Sequence, residues 1–189
     1  MRILLLPICL VALTAICFGQ SSNTGKPDLS GTWEFDAARS NFAKSKNNSY
    51  LEQIQITHHD PELIVRRKVI INSVPAERDL TYYTDGRGEK NPTTSWITTN
   101  PSSDSSRPAQ TQSKTTWSKD KIVTRSVSRF SASTMIIEFE IIDELRLSAD
   151  GQTLTKTTRT NPLRTVTGNG VFEGGRGTDL KVVYKLISK

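Results

Sequence analysis

The chain has 189 residues and a net charge of +6, from 25 lysines and arginines against 19 aspartates and glutamates. That length suits one domain and is short for two. The basic residues are scattered, with pairs such as Arg66-Arg67 and Lys119/Lys121 as the densest runs, a pattern that argues against a nucleic-acid-binding surface.

Residues 1–19, MRILLLPICLVALTAICFG, read as a secretory signal peptide. Arg2 supplies the positive start, an apolar run follows from Ile3 to Phe18, and Cys17 and Gly19 are the small residues before a cut after Gly19. The run is short for a membrane span and no stop-transfer charges follow it. Export to the periplasm or the extracellular space is therefore expected, with no stable membrane span. Both cysteines, Cys9 and Cys17, fall in this signal. The mature chain then has no thiol, which excludes disulfides, a cysteine nucleophile and cysteine metal ligands. Removing the signal takes away Arg2 and leaves a net charge of +5. Residues 20–28 read as a flexible N-terminal segment, and 29–189 as the single folded domain.

Along the mature chain the period is two almost everywhere. DLSGTWEFDAARSNF (28–42) opens with a strand, and DAARSNF has room for one turn after it. In YLEQIQITHH (50–59) Tyr50, Ile54 and Ile56 share a parity, and the turn DPE (60–62) leads to LIVRRKVII (63–71), with Leu63, Val65, Val69 and Ile71 in step. RDLTYYT (78–84) runs into the Asp-Gly turn of DGRGE, and KTTWSKDKIVTRSVS (114–128) reads as a hairpin around Ser118–Lys121. From Met135 the odd positions are Met135, Ile137, Phe139, Ile141, Asp143, Leu145 and Leu147, while the even positions are mostly charged. Asp143 breaks the apolar row, which a β-bulge near Ile142-Asp143 would explain. SADGQ (148–152) turns the chain into TLTKTTRT (153–160), and DLKVVYKLIS (179–188) is the last strand. Two stretches read as loops inside the domain: the Ser/Thr/Pro-rich 98–114, and the Gly-rich 161–179, with Val171-Phe172 as a short strand or a plug between glycines. The total is roughly eight to ten short strands at hairpin spacing with almost no helical pattern. The fold class is all-β, a single antiparallel up-and-down barrel or a sandwich.

Candidates for chemistry are few. His58 and His59 are the only histidines and point to opposite faces of a strand, so they cannot chelate one metal together. No spaced ligand motif supplies other partners, and no metal or other cofactor is expected. Glu138 and Glu140 share a face about 7 Å apart, but they alternate with an apolar row and read as a solvated outer surface rather than a glycosidase pair. GNGVFEGGRG (168–177) contains G-x-G followed by a strand instead of a helix, so it reads as a loop. No nucleophile-elbow, zincin, Walker or EF-hand pattern is present, and no catalytic residue is assigned. NNS (47–49) fits the glycosylation sequon. Trp33, two residues after Gly31, reads as core, and Trp96 and Trp117 as anchors at the ends of the long loop.

SGTWEFDAARSNF, ITHHDPELIV, YYTDGRGEKN, TTWSKDKIV and LRLSADGQTLT, in this order, resemble a group of small exported bacterial proteins described as lipocalin-like. Gly31 and Trp33 also match the G-x-W opening of true lipocalins. Thr84-Asp85 is followed by Gly86, and the last strand carries Lys181 and Lys185 with no arginine, which departs from the true lipocalin pattern. The resemblance implies a meandering antiparallel barrel able to hold a small apolar ligand, and carries over no catalytic residues.

The expected function is binding of a small hydrophobic or amphipathic molecule by a monomeric, lipocalin-like barrel. Its interior is expected to draw on Ile54, Ile56, His58, Val65, Arg67, Tyr82, Met135, Ile137 and Phe139, with Gly31 and Trp33 structural. The alternatives are a non-catalytic interaction module of the cell envelope and an enzyme working in the barrel mouth around His58, Arg67 or Tyr82.

Overall fold

The computed structural model describes residues 25–41, 50–71, 73–92, 110–132, 135–167, 170–173 and 177–189. The signal peptide, the sequon, Trp96, residues 98–109 and the Met135 side chain lie outside the described residues. Eleven strands follow in chain order: β1 Gly31–Phe35, β2 Tyr50–His59, β3 Glu62–Ile71, β4 Val74–Tyr83, β5 Glu89–Pro92, β6 Gln110–Ser118, β7 Lys121–Ala132, β8 Met135–Leu147, β9 Thr153–Thr167, β10 Gly170–Glu173 and β11 Thr178–Ser188. No helix among the described residues is long and apolar enough to cross a membrane.

The strands form one antiparallel sheet in the order β4-β3-β2-β1-β11-β9-β8-β7-β6-β5, with β10 added to β9. First and last strands are joined by a backbone ladder, Trp33 opposite Leu186 and Phe35 opposite Tyr184. The sheet curls until β4 and β5 face each other, and this seam is bridged by side chains. Asn91 on β5 imitates a neighbouring strand: its Oδ1 accepts from the Thr81 N–H at 2.8 Å and its Nδ2 donates to the Thr81 carbonyl at 2.7 Å. Glu89 Oε2 accepts from the Tyr83 N–H at 3.3 Å. Beyond the turn at 84–88, Asp85 makes a backbone bridge to Thr116 of β6. The result is an all-β barrel, closed by ladders except at the seam.

Antiparallel alternation puts the turns at 60–61, 84–88, 119–120 and 148–152 at one end of the barrel, the turn end. The strands leading into 42–49, 72, 93–109, 133–134 and 168–169 leave from the opposite end, the mouth. Residues 25–30 lie across the turn end, where Lys26 Nζ sits 2.7 Å from Asp60 Oδ2 and Ser30 Oγ accepts from the His58 N–H. The core there contains Leu29, Trp33, Ile54, Ile56, Leu63, Val65, Leu80, Ile122 and Leu154. Trp33 is 0% exposed, and its indole N–H donates to the Leu29 carbonyl at 3.1 Å. Gly31 holds φ at +143°, and a side chain there would meet Leu186 and the Ser188 carbonyl at 2.9 Å. After β1, Asp36 Oδ1 accepts from the Ala38 and Arg39 N–H groups, forming the turn that DAARS suggested. That turn lies on β11, where the Val183 N–H donates to Ser40 Oγ at 2.9 Å.

Three sequence expectations need correction. The register shift of the β8–β9 ladder falls between Glu138 and Phe139, opposite Arg164 and Pro162, with Leu163 as the extra residue. No shift occurs at Ile142-Asp143. The odd row of β8 stays inward, and Asp143 faces the interior because Thr158 and Lys156 meet it there. Second, the polar stretch 98–114 already belongs to β6 from Gln110 onward. Third, Asn161–Thr167 continues β9, pairing with β8 on one side and β10 on the other. Threonine and glutamine in the first stretch, and asparagine, proline and threonine in the second, look like loop composition although they lie on a strand's ladder.

Candidate functional site

The candidate site is the barrel interior above the Trp33 layer. Because β2 and β3 turn back at Asp60-Pro61, their inward rows run in register: Ile56 faces Val65, and Ile54 faces Arg67. β4 continues the layer with Leu80 opposite Val65 and Tyr82 opposite Leu63. Across the barrel, Ile122 of β7 pairs with Leu145 of β8, and Thr124 with Asp143. Between these walls lies a cavity of about 80 Å³. Ile54, Ile56, Leu63, Val65, Leu80, Ile122 and Leu145 give it an apolar lining. Arg67, Tyr82, Thr124, Asp143, Lys156 and Tyr184 give it a polar one.

The polar side is organised into three internally bonded groups. Arg67 Nε lies 2.5 Å from Glu52 Oε1, and the Tyr184 hydroxyl donates to Glu52 Oε2 at 2.8 Å. The Glu52 side chain is 1% exposed, so this is a buried ion pair toward the mouth. Asp143 accepts from the Thr158 hydroxyl, and Lys156 Nζ is 3.3 Å from its Oδ2. Thr124 is bonded to Thr115 at 2.8 Å, and Thr115 donates to Glu89 Oε1 at 2.8 Å, which links the cavity wall to the seam. Buried carboxylates without such partners would be strongly disfavoured. Burial pushes the Tyr82 phenol up, Asp143 pushes it further, and Arg67 opposes. The hydroxyl therefore stays protonated.

A second cluster of ionisable groups sits at the turn end. His58 is buried with its ring 5.8 Å from that of Trp117. Its Nδ1 accepts from the Leu29 N–H at 3.4 Å, and its Nε2 is buried with no hydrogen-bond partner among the described residues. Burial lowers the His58 pKa, Asp28 and Asp60 partly oppose, and His59 and Lys26 add to the lowering. Asp60 accepts from Lys26 at 2.7 Å, Thr84 at 2.5 Å and the Trp117 indole at 2.8 Å. Partial burial pushes the Asp60 carboxyl up, but these three donors together outweigh it and bring it down to about 2.

Of the interior residues named from sequence, Ile54, Ile56, Val65, Arg67 and Tyr82 surround the cavity. His58 points inward but belongs to the turn-end cluster. Ile137 and Phe139 are half-buried further toward the mouth and do not line the cavity. Sequence reasoning missed Glu52, Asp143, Lys156 and Tyr184. The signal for each was present: Glu52 shares the parity of Ile54 and Ile56, Asp143 that of Ile141 and Leu145, Lys156 that of Leu154, and Tyr184 that of Leu186. A charge on an inward row reads equally as a bulge or as an interior polar group until the partner strand is placed. Glu138 and Glu140 lie on the outer face, paired with Arg164 at 2.9 Å and Arg125 at 3.1 Å. No group of three or more histidine, cysteine or acidic side chains placed to hold a metal ion occurs among the described residues.

Neither a scan against protein-family models nor a search of curated proteins returns a match to this chain.

Proposed function

We propose that the protein is an exported, lipocalin-like barrel that binds a small hydrophobic or amphipathic molecule. The observation that carries this reading is the mixed lining of the cavity, in which aliphatic side chains share strands with Arg67, Tyr82, Asp143 and Lys156. A core built only for stability gains little from placing charges there, because each must be paired against the loss of hydration. A binding site uses a few placed polar groups in an apolar pocket to orient a ligand. The ionised groups of the wall are already paired with each other, so binding accounts for them without a reaction step. Export rests on residues 1–19, and the lipocalin-like assignment on the ordered motifs from Leu29 to Thr155.

Native mass spectrometry of the protein, purified gently from an exporting host, tests both parts. The expected spectrum shows a chain beginning at Gln20 with an additional mass that denaturation releases. A bare folded mass would remove the carrier reading and favour the interaction module. The cross-strand neighbours Leu51 and Ile70 on the outer face, 62% and 41% exposed, would then be the first contact surface to test. A retained leader would remove the export reading.

A further inference from the structure

Resting on the carrier reading, we infer that the ligand is a neutral molecule with a compact apolar body and one hydrogen-bond-accepting oxygen, a ketone or alcohol, seated on the Tyr82 hydroxyl. Three observations lead to this class.

The first is the state of the polar groups. Arg67 is engaged by Glu52, Tyr184 donates to Glu52, Thr124 is bonded to Thr115, and Asp143 is engaged by Thr158 and Lys156. Tyr82 also faces this cavity, between Leu63 and Leu80 in the lining, yet its hydroxyl makes no hydrogen bond with any described residue. Tyr82 is half-buried, so this hydroxyl is open to a molecule entering the cavity. The second is its chemistry. Held protonated by burial and by Asp143, the phenol offers an O–H donor, so the group it lacks is an acceptor.

The third is charge balance. Arg67 and Lys156 are each paired with an anion, Glu52 and Asp143, and a third buried carboxylate, Glu89, also acts on the phenol. A carboxylate ligand would add a further negative charge beside Asp143 in a weakly hydrated space, and an ammonium would offer the phenol a donor in place of an acceptor. A neutral oxygen satisfies the phenol and leaves the balance intact. The size follows from the cavity. An apolar cavity of about 150 Å³ takes a benzene ring, so in one of about 80 Å³ a ring of that size is seated with part of it protruding toward the mouth.

The test uses three probes of nearly equal shape in NMR titrations of the isotope-labelled protein. Cyclopentanone carries the carbonyl, methylenecyclopentane replaces its oxygen by CH₂, and cyclobutanecarboxylate carries a charge. Cyclopentanone is expected to bind about three- to tenfold tighter than methylenecyclopentane, the scale of one net hydrogen bond, and cyclobutanecarboxylate weakest. Tyr82→Phe is expected to erase the ketone's advantage over the alkene, and the dispersion of the variant's NMR spectrum shows that it folds. Independently of any variant, the carbonyl carbon of bound cyclopentanone is expected to shift downfield from its value in a hydrocarbon solvent. Equal binding of ketone and alkene, tightest binding of the carboxylate, or a ketone preference that survives Tyr82→Phe would overturn the inference and leave the carrier reading standing. Failure of all three probes to bind would overturn both.

Discussion

His58 Nε2 lies 3.9 Å from Asp60 Oδ1 and makes no hydrogen bond with it, because that oxygen is already occupied by the Trp117 indole and the Thr84 hydroxyl. The imidazole is thus buried between two carboxylates, Asp28 and Asp60, without being bonded to either, and its Nδ1 serves as acceptor for the Leu29 N–H. Protonation would turn that acceptor into a donor facing a donor. The segment 25–30 is held to the turn end partly by this contact.

A pH dependence of stability follows. The folded pKa of His58 is lowered below 6.5, chiefly by burial. The unfolded chain therefore takes up the proton first as pH falls. The contribution is fully present above the unfolded value and is lost as pH drops through the folded one. Urea unfolding between about pH 7.5 and about pH 5 should show stability falling with pH, by at most about 1.4 kcal/mol per unit for one proton. His58→Gln should flatten that slope. An unchanged slope in the variant would assign the effect elsewhere.

Asp60 acts in a lower window. Its folded pKa, brought down to about 2 by three donors, means that its contribution is present above 3.8 and disappears as pH falls toward 2. Asp60→Asn should raise the pH at which the turn end opens. The emission of Trp117 should shift to longer wavelength in the same range, since its indole N–H then loses a charged acceptor.

The seam depends on one amide. Asn91→Ala leaves the N–H and carbonyl of Thr81 without their partner, at an expected loss of about 2 to 4 kcal/mol on urea unfolding. Asn91→Asp restores the acceptor but not the donor, and should fall between the two. Hydrogen exchange at Thr81 should rise in the alanine variant more than at Val65, which sits on a full ladder with β2 and β4.

Breaking the buried pair should be worse than removing it. Glu52→Leu or Arg67→Met alone leaves a charge in the interior, at an expected loss of about 3 to 5 kcal/mol. The double variant should recover much of this in a double-mutant cycle read by denaturation. Full additivity of the two losses would show that the ions act separately.

Gly31→Ala tests the opening motif. Its φ of +143° disfavours a side chain, and the new methyl would meet the backbone carbonyl of Ser188 at 2.9 Å. A loss of about 1 to 3 kcal/mol is expected on thermal or urea unfolding, with ligand binding, once a probe is in hand, unchanged at its own affinity.

The sequence by itself determined the fold class, because period-two alternation is a local property. Ile54, Ile56, Leu63 and Val65 declare an inward face without reference to any partner. It also determined the hairpin turns at 60–61 and 148–152, because proline and glycine act on their own backbone, and the one at 119–120, where Lys-Asp separates two alternating runs. It left the extent of β6 and β9 unread, since Gln110–Ser113 and Asn161–Thr167 are strand only by virtue of the ladders beside them.

Only the tertiary structure decided the site. Whether Asp143 marks a bulge or an interior charge depends on Lys156 and Thr158 arriving from the next strand, and whether Glu52 is tolerable inside depends on Arg67 and Tyr184, 15 and 132 residues away. The seam belongs to the same category, because nothing in the spacing of Asn91 shows that it stands in for a strand at Thr81. Local backbone preferences are written residue by residue. The pairing of buried polar groups is a relation between strands, and it exists only once the barrel has brought them together.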